Sequence, residues 1–152
     1  VLWRSRAHFR VDLNPSMPEA WGWLGWTQLL AGDPEACIAS SERARRLSPQ
    51  GPTVAQVEDN SALAYFEMAR YEAGLEAGRK LVALRPGYVW GYGHVAMNAA
   101  ALGRIDEARA AVAEARRVEP EVSLALFQRG IGVSRPELDE RRNAALRKAG
   151  LE

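Results

Sequence analysis

Apolar residues recur along the chain every three or four positions, in stretches separated by short polar breaks. This spacing is typical of amphipathic helices, which bury one stripe of side chains against a neighbour. No stretch shows the period of two that a half-buried strand requires. The pattern therefore predicts an all-α protein with helices over residues 1–13, 17–31, 34–47, 53–69, 71–84, 88–102, 105–118, 122–129 and 136–149.

Four prolines mark a regular interval in this pattern. Pro15, Pro49, Pro86 and Pro120 follow similar sequences and are separated by 34, 37 and 34 residues. A period of this size is typical of stacked repeats that each contribute one supersecondary unit. We therefore expect a single domain over 1–152, built from a half repeat over 1–15, repeats over 16–49, 53–86 and 87–120, and a C-terminal cap over 121–152.

Helix-terminating and helix-starting residues occupy the breaks. Gly32 is a residue type that ends helices, and Asp33 follows it as an N-cap ahead of the first-turn proline Pro34. Ser16 with Glu19 three residues later predicts a capping box at the start of the second helix. These signals favour short connections and antiparallel neighbouring helices.

The residue types inside the period resemble the tetratricopeptide repeat. The residues that carry the resemblance are Trp21, Leu24, Gly25, Gly32, Ala44 and Pro49 in the first copy; Ala62, Tyr65, Ala69, Tyr71, Gly74 and Pro86 in the second; and Tyr92, Val95, Ala96, Gly103, Ala108, Ala115 and Pro120 in the third. Gln28, Cys37, Ser41 and Glu58 depart from the usual types. The resemblance implies a right-handed superhelical solenoid of antiparallel helix pairs, with a C-terminal capping helix, that recognises other proteins.

The C-terminal sequence LRKAGL, residues 146–151, carries a second resemblance together with the sequence WGWLGW at 21–26. Both are similar to proteobacterial proteins that place such repeats after a class III adenylate cyclase domain or a winged-helix DNA-binding domain. The chain also begins in mid-repeat. We therefore expect it to be the C-terminal part of a larger bacterial signalling protein.

Composition and charge narrow the class of partner. The 152 residues include 20 Lys and Arg against 19 Asp and Glu, a formal net charge of +1, which gives no electrostatic footprint for nucleic acid or an anionic membrane. The basic clusters at 43–46, 79–80 and 116–117 are interleaved with glutamates, as on a solvated helix face. No apolar run is long enough to span a bilayer. We expect a cytoplasmic protein that binds neither nucleic acid nor membrane through this segment.

Candidate catalytic and cofactor-binding residues are few. His8 and His94 fall on different predicted helices and have no spaced partner for a metal. Cys37, the single cysteine, stands where the repeat has a small packed residue. The sequences GYG at 91–93 and GIG at 130–132 lack the strand, the lysine and the spacing of a phosphate-binding loop. We therefore expect no enzymatic activity, no cofactor and no metal.

The resemblance also implies a concave groove lined by the first helix of each repeat. The residues at the matching positions are Trp23, Trp26, Leu30, Asp59, Asn60, Leu63, Glu67, Trp90, His94 and Met97. They predict a mainly apolar groove for a peptide or partner helix, although the same side chains could simply pack between repeats. Glycines at 22, 91 and 93 indicate close backbone approach in the same helices. Of the positions that grip a chaperone's C-terminal carboxylate elsewhere in the family, only Asn60 has a suitable residue, so no such clamp is expected.

Two alternatives to peptide binding remain open at this point. One is a small-molecule-sensing regulatory region that controls an attached cyclase or DNA-binding domain, and the other is a self-associating scaffold. Helix 1–13 favours association, because Trp3 and Val11 lie on one apolar stripe while Phe9 and Leu13 lie on another. Terminal repeats usually have a polar outer face. We therefore expect either a homodimer through this N-terminal edge or a mobile first helix.

Overall fold

The computed structural model describes residues 10–130 and 135–152, and their fold follows the predicted helical pattern. Residues 10–13 are helical, and no strand occurs in these two ranges. The eight helices that follow are α1 (Pro18–Leu30), α2 (Pro34–Leu47), α3 (Thr53–Glu67), α4 (Tyr71–Leu84), α5 (Val89–Ala101), α6 (Ile105–Val118), α7 (Leu124–Gly130) and α8 (Pro136–Lys148). The all-α fold class predicted from the sequence is confirmed.

The helices pack as consecutive antiparallel pairs, α1 with α2, α3 with α4, and α5 with α6. The first helices of successive pairs, α1, α3 and α5, also contact one another, and the pairs stack into a right-handed solenoid. Small residues make this close stacking possible. A Cβ atom at Gly22 of α1 would lie 3.0 Å from Gln56 Oε1 of α3, and one at Gly93 of α5 would overlap the Phe127 ring of α7.

Turns between paired helices share one backbone conformation. Gly32 and Gly103 follow α1 and α5 with φ values of +84° and +76°, in the left-handed region where a side chain is strained. Ala69 holds the corresponding turn after α3 with a φ of 58°. This conformation ends α3 at Glu67, two residues before the predicted end of that helix.

Of two predicted helix caps, the structure contains one and lacks the other. The Ala36 backbone N–H donates to Asp33 Oδ1 at 3.0 Å, as expected for an N-cap of α2. The capping box predicted at Ser16 is wrong. The N-cap of α1 is Met17, which makes no side-chain cap bond, and the Ser16 backbone N–H donates instead to Asn14 Oδ1. Helix α1 begins one residue later than predicted, so the Ser16 hydroxyl does not cap it.

The C-terminal helices close the apolar core. Phe127 of α7 packs edge-on against Trp90 of α5, with ring centroids 4.9 Å apart and an interplanar angle of 83°. Helix α8 packs against α5 and α7, and buries Ala145 and Leu146 in the main core. The backbone N–H of Leu124 donates to the carbonyl of Glu152 at 2.8 Å, which fixes the chain end against the start of α7.

The N-terminal edge is described only in part, because residues 1–9 lie outside the described ranges. Val11 is buried in a small cluster with Ala20 and Leu24, whereas Leu13 is 68% exposed. The two residues were predicted on opposite stripes, and they have opposite environments. Association through this edge stays a prediction.

Candidate functional site

A cavity of about 560 Å³ lies between the first helices of the three repeats. We call it the open groove. Seven of the ten predicted groove residues line it: Trp23, Trp26, Asp59, Asn60, Leu63, Trp90 and His94. Such a volume is typical of binding cavities in proteins, which hold a few polar groups among apolar and aromatic side chains.

Three tryptophans give the open groove its apolar surface. Trp23 of α1 is 49% exposed, and Trp26, three residues further along the same helix, is partly buried. Trp90 projects from the first turn of α5, where Phe127 packs against its ring. An exposed tryptophan next to two others leaves apolar area that the fold itself does not cover.

A hydrogen-bonded polar unit lies beside the tryptophans. His94 Nε2 is 2.7 Å from Asp59 Oδ1, and the Tyr88 hydroxyl donates to Asp59 Oδ2 at 3.0 Å. Burial raises the pKa of Tyr88 above its ordinary value of 10.0, and the adjacent Asp59 carboxylate raises it further. Because Asp59 belongs to α3 while Tyr88 and His94 belong to the start of the third repeat, this unit also links the two repeats across the open groove.

Two other predicted residues in the open groove have structural roles. Asn60 is buried, and its Nδ2 donates to the carbonyl of Gly22 at 2.9 Å, which ties α3 to α1. Leu63 is also buried, in the main core. The glycines at 22, 91 and 93 do mark close approach, but their nearest neighbours are side chains of adjacent helices. They are explained by inter-repeat packing alone.

The remaining three predicted residues, Leu30, Glu67 and Met97, do not line the open groove. Met97 is buried in the core at 3% exposure. Glu67 is covered by the segment at the start of α8, because Arg135 forms an ion pair through both of its terminal nitrogens with the Glu67 carboxylate. We call this region, which comprises Phe66, Glu67, Arg135 and Arg141, the covered end.

Arg141 completes the covered end. Its Nη2 donates to the carbonyl of Glu67 at 2.6 Å and to that of Phe66 at 3.3 Å, and its guanidinium lies 5.4 Å from the centroid of the Phe66 ring. Burial raises the pKa of Glu67 above its ordinary value, while the surrounding arginines oppose that shift. The chain's own C-terminal segment therefore occupies the part of the concave surface where α3 ends.

Several residues that line the open groove were not predicted from the sequence. They are Glu19, Pro52, Thr53, Ala55, Gln56, Leu81, Arg85 and Tyr88. A signal for two of them was present in the helical spacing. Glu19 precedes Trp23 by four residues, and Gln56 precedes Asp59 by three, so each extends a predicted stripe by one turn. Tyr88 and Arg85 lie in or beside the turn before α5, where helical spacing gives no signal.

Reactive and metal-binding groups are scarce around the site. Burial raises the pKa of the Cys37 thiol to about 12, so the thiolate needed for nucleophilic attack is not formed at neutral pH. Within residues 10–130 and 135–152, no three His, Cys, Asp or Glu side chains are grouped so that they could hold a metal ion. None of the helices in these ranges combines the length and the apolar character that crossing a membrane demands.

Comparison with known proteins identifies the fold. No protein-family model matches the chain, and no curated protein matches it. Among solved structures, a crystal structure of MamA aligns with a TM-score of 0.64 and 26% identity over 73% of this chain. This chain spans 59% of the length of that MamA chain.

Two further solved structures are described as tetratricopeptide proteins. The first TPR domain of human RPAP3 aligns with a TM-score of 0.67 and 18% identity, and the alignment covers 90% of this chain and 98% of that domain. TTC0263, a thermophilic TPR protein of Thermus thermophilus, aligns with a TM-score of 0.64 and 24% identity, covering 89% of this chain and 74% of that one. The chain therefore has the fold of a tetratricopeptide-repeat solenoid, as its sequence predicted.

Proposed function

We propose that this chain is a protein-interaction module that binds a peptide or a partner helix in the open groove. The fold supports the general class, because its structural neighbours include tetratricopeptide domains. The single observation that carries the proposal is Trp23, a large aromatic side chain that stays 49% exposed beside Trp26 and Trp90 in one cavity. Interface hot spots are enriched in tryptophan and cluster in pockets that exclude water once a partner is bound.

The proposed partner occupies a limited length of the concave surface. Glu67 already has its ion pair with Arg135, and Arg141 takes the carbonyls at the end of α3. A peptide that follows α1, α3 and α5 therefore has the part of these helices that lines the open groove to contact. Trp23, Trp26 and Trp90 serve as its apolar anchors, and Asp59, Tyr88 and His94 offer polar contacts between them.

The experiment begins with a displayed library of random peptides, selected on the whole chain and then measured by calorimetric titration. Trp26→Ala is expected to weaken the binding of a selected peptide by about 2 kcal/mol, in the range of an aromatic hot spot. Arg117→Ala is the control, since Arg117 is exposed and forms its ion pair with Glu114, one turn away on α6. Its effect is expected to stay below about 0.5 kcal/mol. If Arg117→Ala weakens binding more than Trp26→Ala, the proposed site is wrong.

A second candidate function is supported by the size of the cavity. At about 560 Å³, the open groove also suits a small molecule, as expected for a regulatory region that controls an attached signalling domain. Native mass spectrometry of the chain purified from its source cells distinguishes the two. A bound metabolite that is released by Trp26→Ala favours sensing, whereas an empty groove that binds selected peptides favours protein recognition.

A further inference from the structure

Asp59 differs from the other shielded carboxylates of α3 in the charge of its partners. Glu58, with a side chain 5% exposed, pairs with Arg45, and Glu67, 4% exposed, pairs with Arg135. Asp59 is 26% exposed, and its partners among the described residues are His94 and Tyr88, neither of which has a permanent positive charge. Among the described residues, no lysine or arginine forms an ion pair with it. Each of its oxygens also has a second lone pair with which to accept another donor.

The walls of the open groove favour a cation next to this carboxylate. Tryptophan is the aromatic side chain that attracts cations most strongly, and Trp23, Trp26 and Trp90 all line the same cavity. Glu19 adds a second carboxylate at the rim, where it is exposed. Arg85 is the one arginine among the lining residues, and its exposed side chain extends from the loop after α4.

The covered end shows how α3 binds arginine side chains of the same chain. Glu67 lies eight residues after Asp59 on α3, about two helical turns further along the same stripe. There the carboxylate binds the guanidinium of Arg135, and the neighbouring Arg141 lies over the Phe66 ring. The C-terminal segment therefore already places one arginine on a carboxylate and a second arginine over an aromatic ring at the end of α3.

We propose that the open groove takes the arginine side chain of a partner peptide, with its guanidinium among the tryptophans and paired with Asp59. This inference rests on the proposed function and adds the charge of the anchor residue. It is the opposite of a carboxylate clamp, because the protein supplies the acidic group and the partner supplies the base. A planar guanidinium suits the site better than an ammonium, since it can both stack on a tryptophan and donate two parallel hydrogen bonds.

Small probes test the inference directly. The indole N–H resonances of Trp23, Trp26 and Trp90 are followed by NMR during titration with N-acetyl-arginine amide, and separately with its citrulline, glutamate and leucine counterparts. Citrulline is the matched control, because it keeps the shape of arginine and removes its charge. We expect the arginine probe to bind about tenfold more tightly than the citrulline probe.

Three charge variants sharpen the test without changing Asp59, Tyr88 or His94. Glu19→Gln is expected to lower the affinity for the arginine probe by about two- to fivefold. Arg85→Gln removes the competing positive charge and is expected to raise that affinity by about the same factor. Glu35→Gln on α2 is the control for a change of net charge, because Glu35 is exposed and does not line the open groove. Its effect on affinity is expected to be within error.

The outcomes separate this inference from the function on which it rests. Equal affinity for the arginine and citrulline probes, or tightest binding of the glutamate probe, overturns the arginine anchor while leaving an apolar peptide groove in place. Indole resonances that respond to none of the four probes up to about 50 mM overturn both the anchor and the groove. The arginine probe could bind preferentially and yet lose as much affinity in Glu35→Gln as in Glu19→Gln. That result also overturns the site, because the affinity would then depend on net charge alone.

Discussion

The open groove and the covered end are two parts of one concave surface, and they differ in what lies against α3. At Glu67, the chain's own arginines neutralise a carboxylate that is almost fully buried. At Asp59, on the same stripe of the same helix, the carboxylate stays partly exposed in the cavity lined by three tryptophans. Its hydrogen-bond partners in the part of the chain that the structure describes are a histidine and a tyrosine. The same backbone therefore presents one acidic position that the fold uses and one that it leaves available.

Position in a repeat therefore does not by itself determine whether a residue is available for binding. Asp59 and Glu67 lie on the same side of α3, yet Asp59 lines the cavity and Glu67 is paired under the segment that leads into α8. What distinguishes the two residues is the distant C-terminal segment, which returns to the end of α3. A groove residue in such a solenoid is available for binding only where no other part of the chain covers it.

Glu67→Ala and Asp59→Ala form the matched pair with the largest expected difference in stability. Removing Glu67 leaves Arg135 without its partner, which lowers the free energy of unfolding by about 2 kcal/mol. This loss is smaller than that for a fully buried pair because 28% of the Arg135 side chain is exposed. Removing Asp59 costs about 1 kcal/mol, since water in the open groove can replace the lost hydrogen bonds. Urea denaturation measures both. Equal costs would mean that the two ends of the stripe do not differ as described.

Tyr88→Phe sharpens the description of the open groove through its pH dependence. The variant loses the hydrogen bond to Asp59, which costs about 1 kcal/mol at neutral pH. Because the pKa of Tyr88 is raised in the folded state, its contribution is fully present below the ordinary value of 10.0 and is lost as the pH rises through the folded value. The difference in unfolding free energy between wild type and variant should therefore shrink above about pH 10.

Tyr92→Phe is the control for this experiment, because the Tyr92 hydroxyl donates to a backbone carbonyl, that of Pro86, rather than to a carboxylate. A difference for Tyr88→Phe that grows above pH 10, or one that Tyr92→Phe reproduces, would contradict a role for the Asp59 carboxylate at Tyr88.

Glu67→Gln tests the covered end and has the smallest expected effect. Burial raises the pKa of Glu67, so the folded state binds a proton at a higher pH than the unfolded state does. The resulting stability is fully present below the ordinary value of 4.5 and is lost as the pH rises through the folded value. Wild type should therefore gain stability relative to Glu67→Gln as the pH falls from neutral toward 4.5. A change of opposite sign would mean that the arginines outweigh burial.

Much of the fold could be predicted from the sequence because its determinants are local and repeated. The proline interval, the Asp33 cap and the small residues on the helices fix the helix pairs before any distant contact is known. The end of α3 was placed too late because Ala69, unlike Gly32 and Gly103, gives no sign that it adopts a left-handed conformation. A repeated pattern predicts its own copies well and predicts departures from them poorly.

The site could be predicted only as far as single helices determine it. The resemblance to the tetratricopeptide repeat implied that Trp23, Trp26, Asp59, Trp90 and His94 share one surface, and they do line the cavity. The involvement of Tyr88 depends on a turn between repeats, and the covering of Glu67 depends on a residue 68 positions away in the sequence. Neither contact has a local signature, so neither followed from the sequence.

One NMR measurement tests the central claim, that the open groove is the binding surface while the covered end is structural. A selected peptide is titrated into the labelled chain, and the indole N–H resonances of Trp23, Trp26 and Trp90 are compared with that of Trp21, whose indole donates to the Pro15 carbonyl outside the cavity. We expect the three groove resonances to shift together, while those of Trp21 and of the Arg135 and Arg141 side chains stay in place. Shifts confined to Trp21, to α8 or to the exposed arginines of α6 would contradict it.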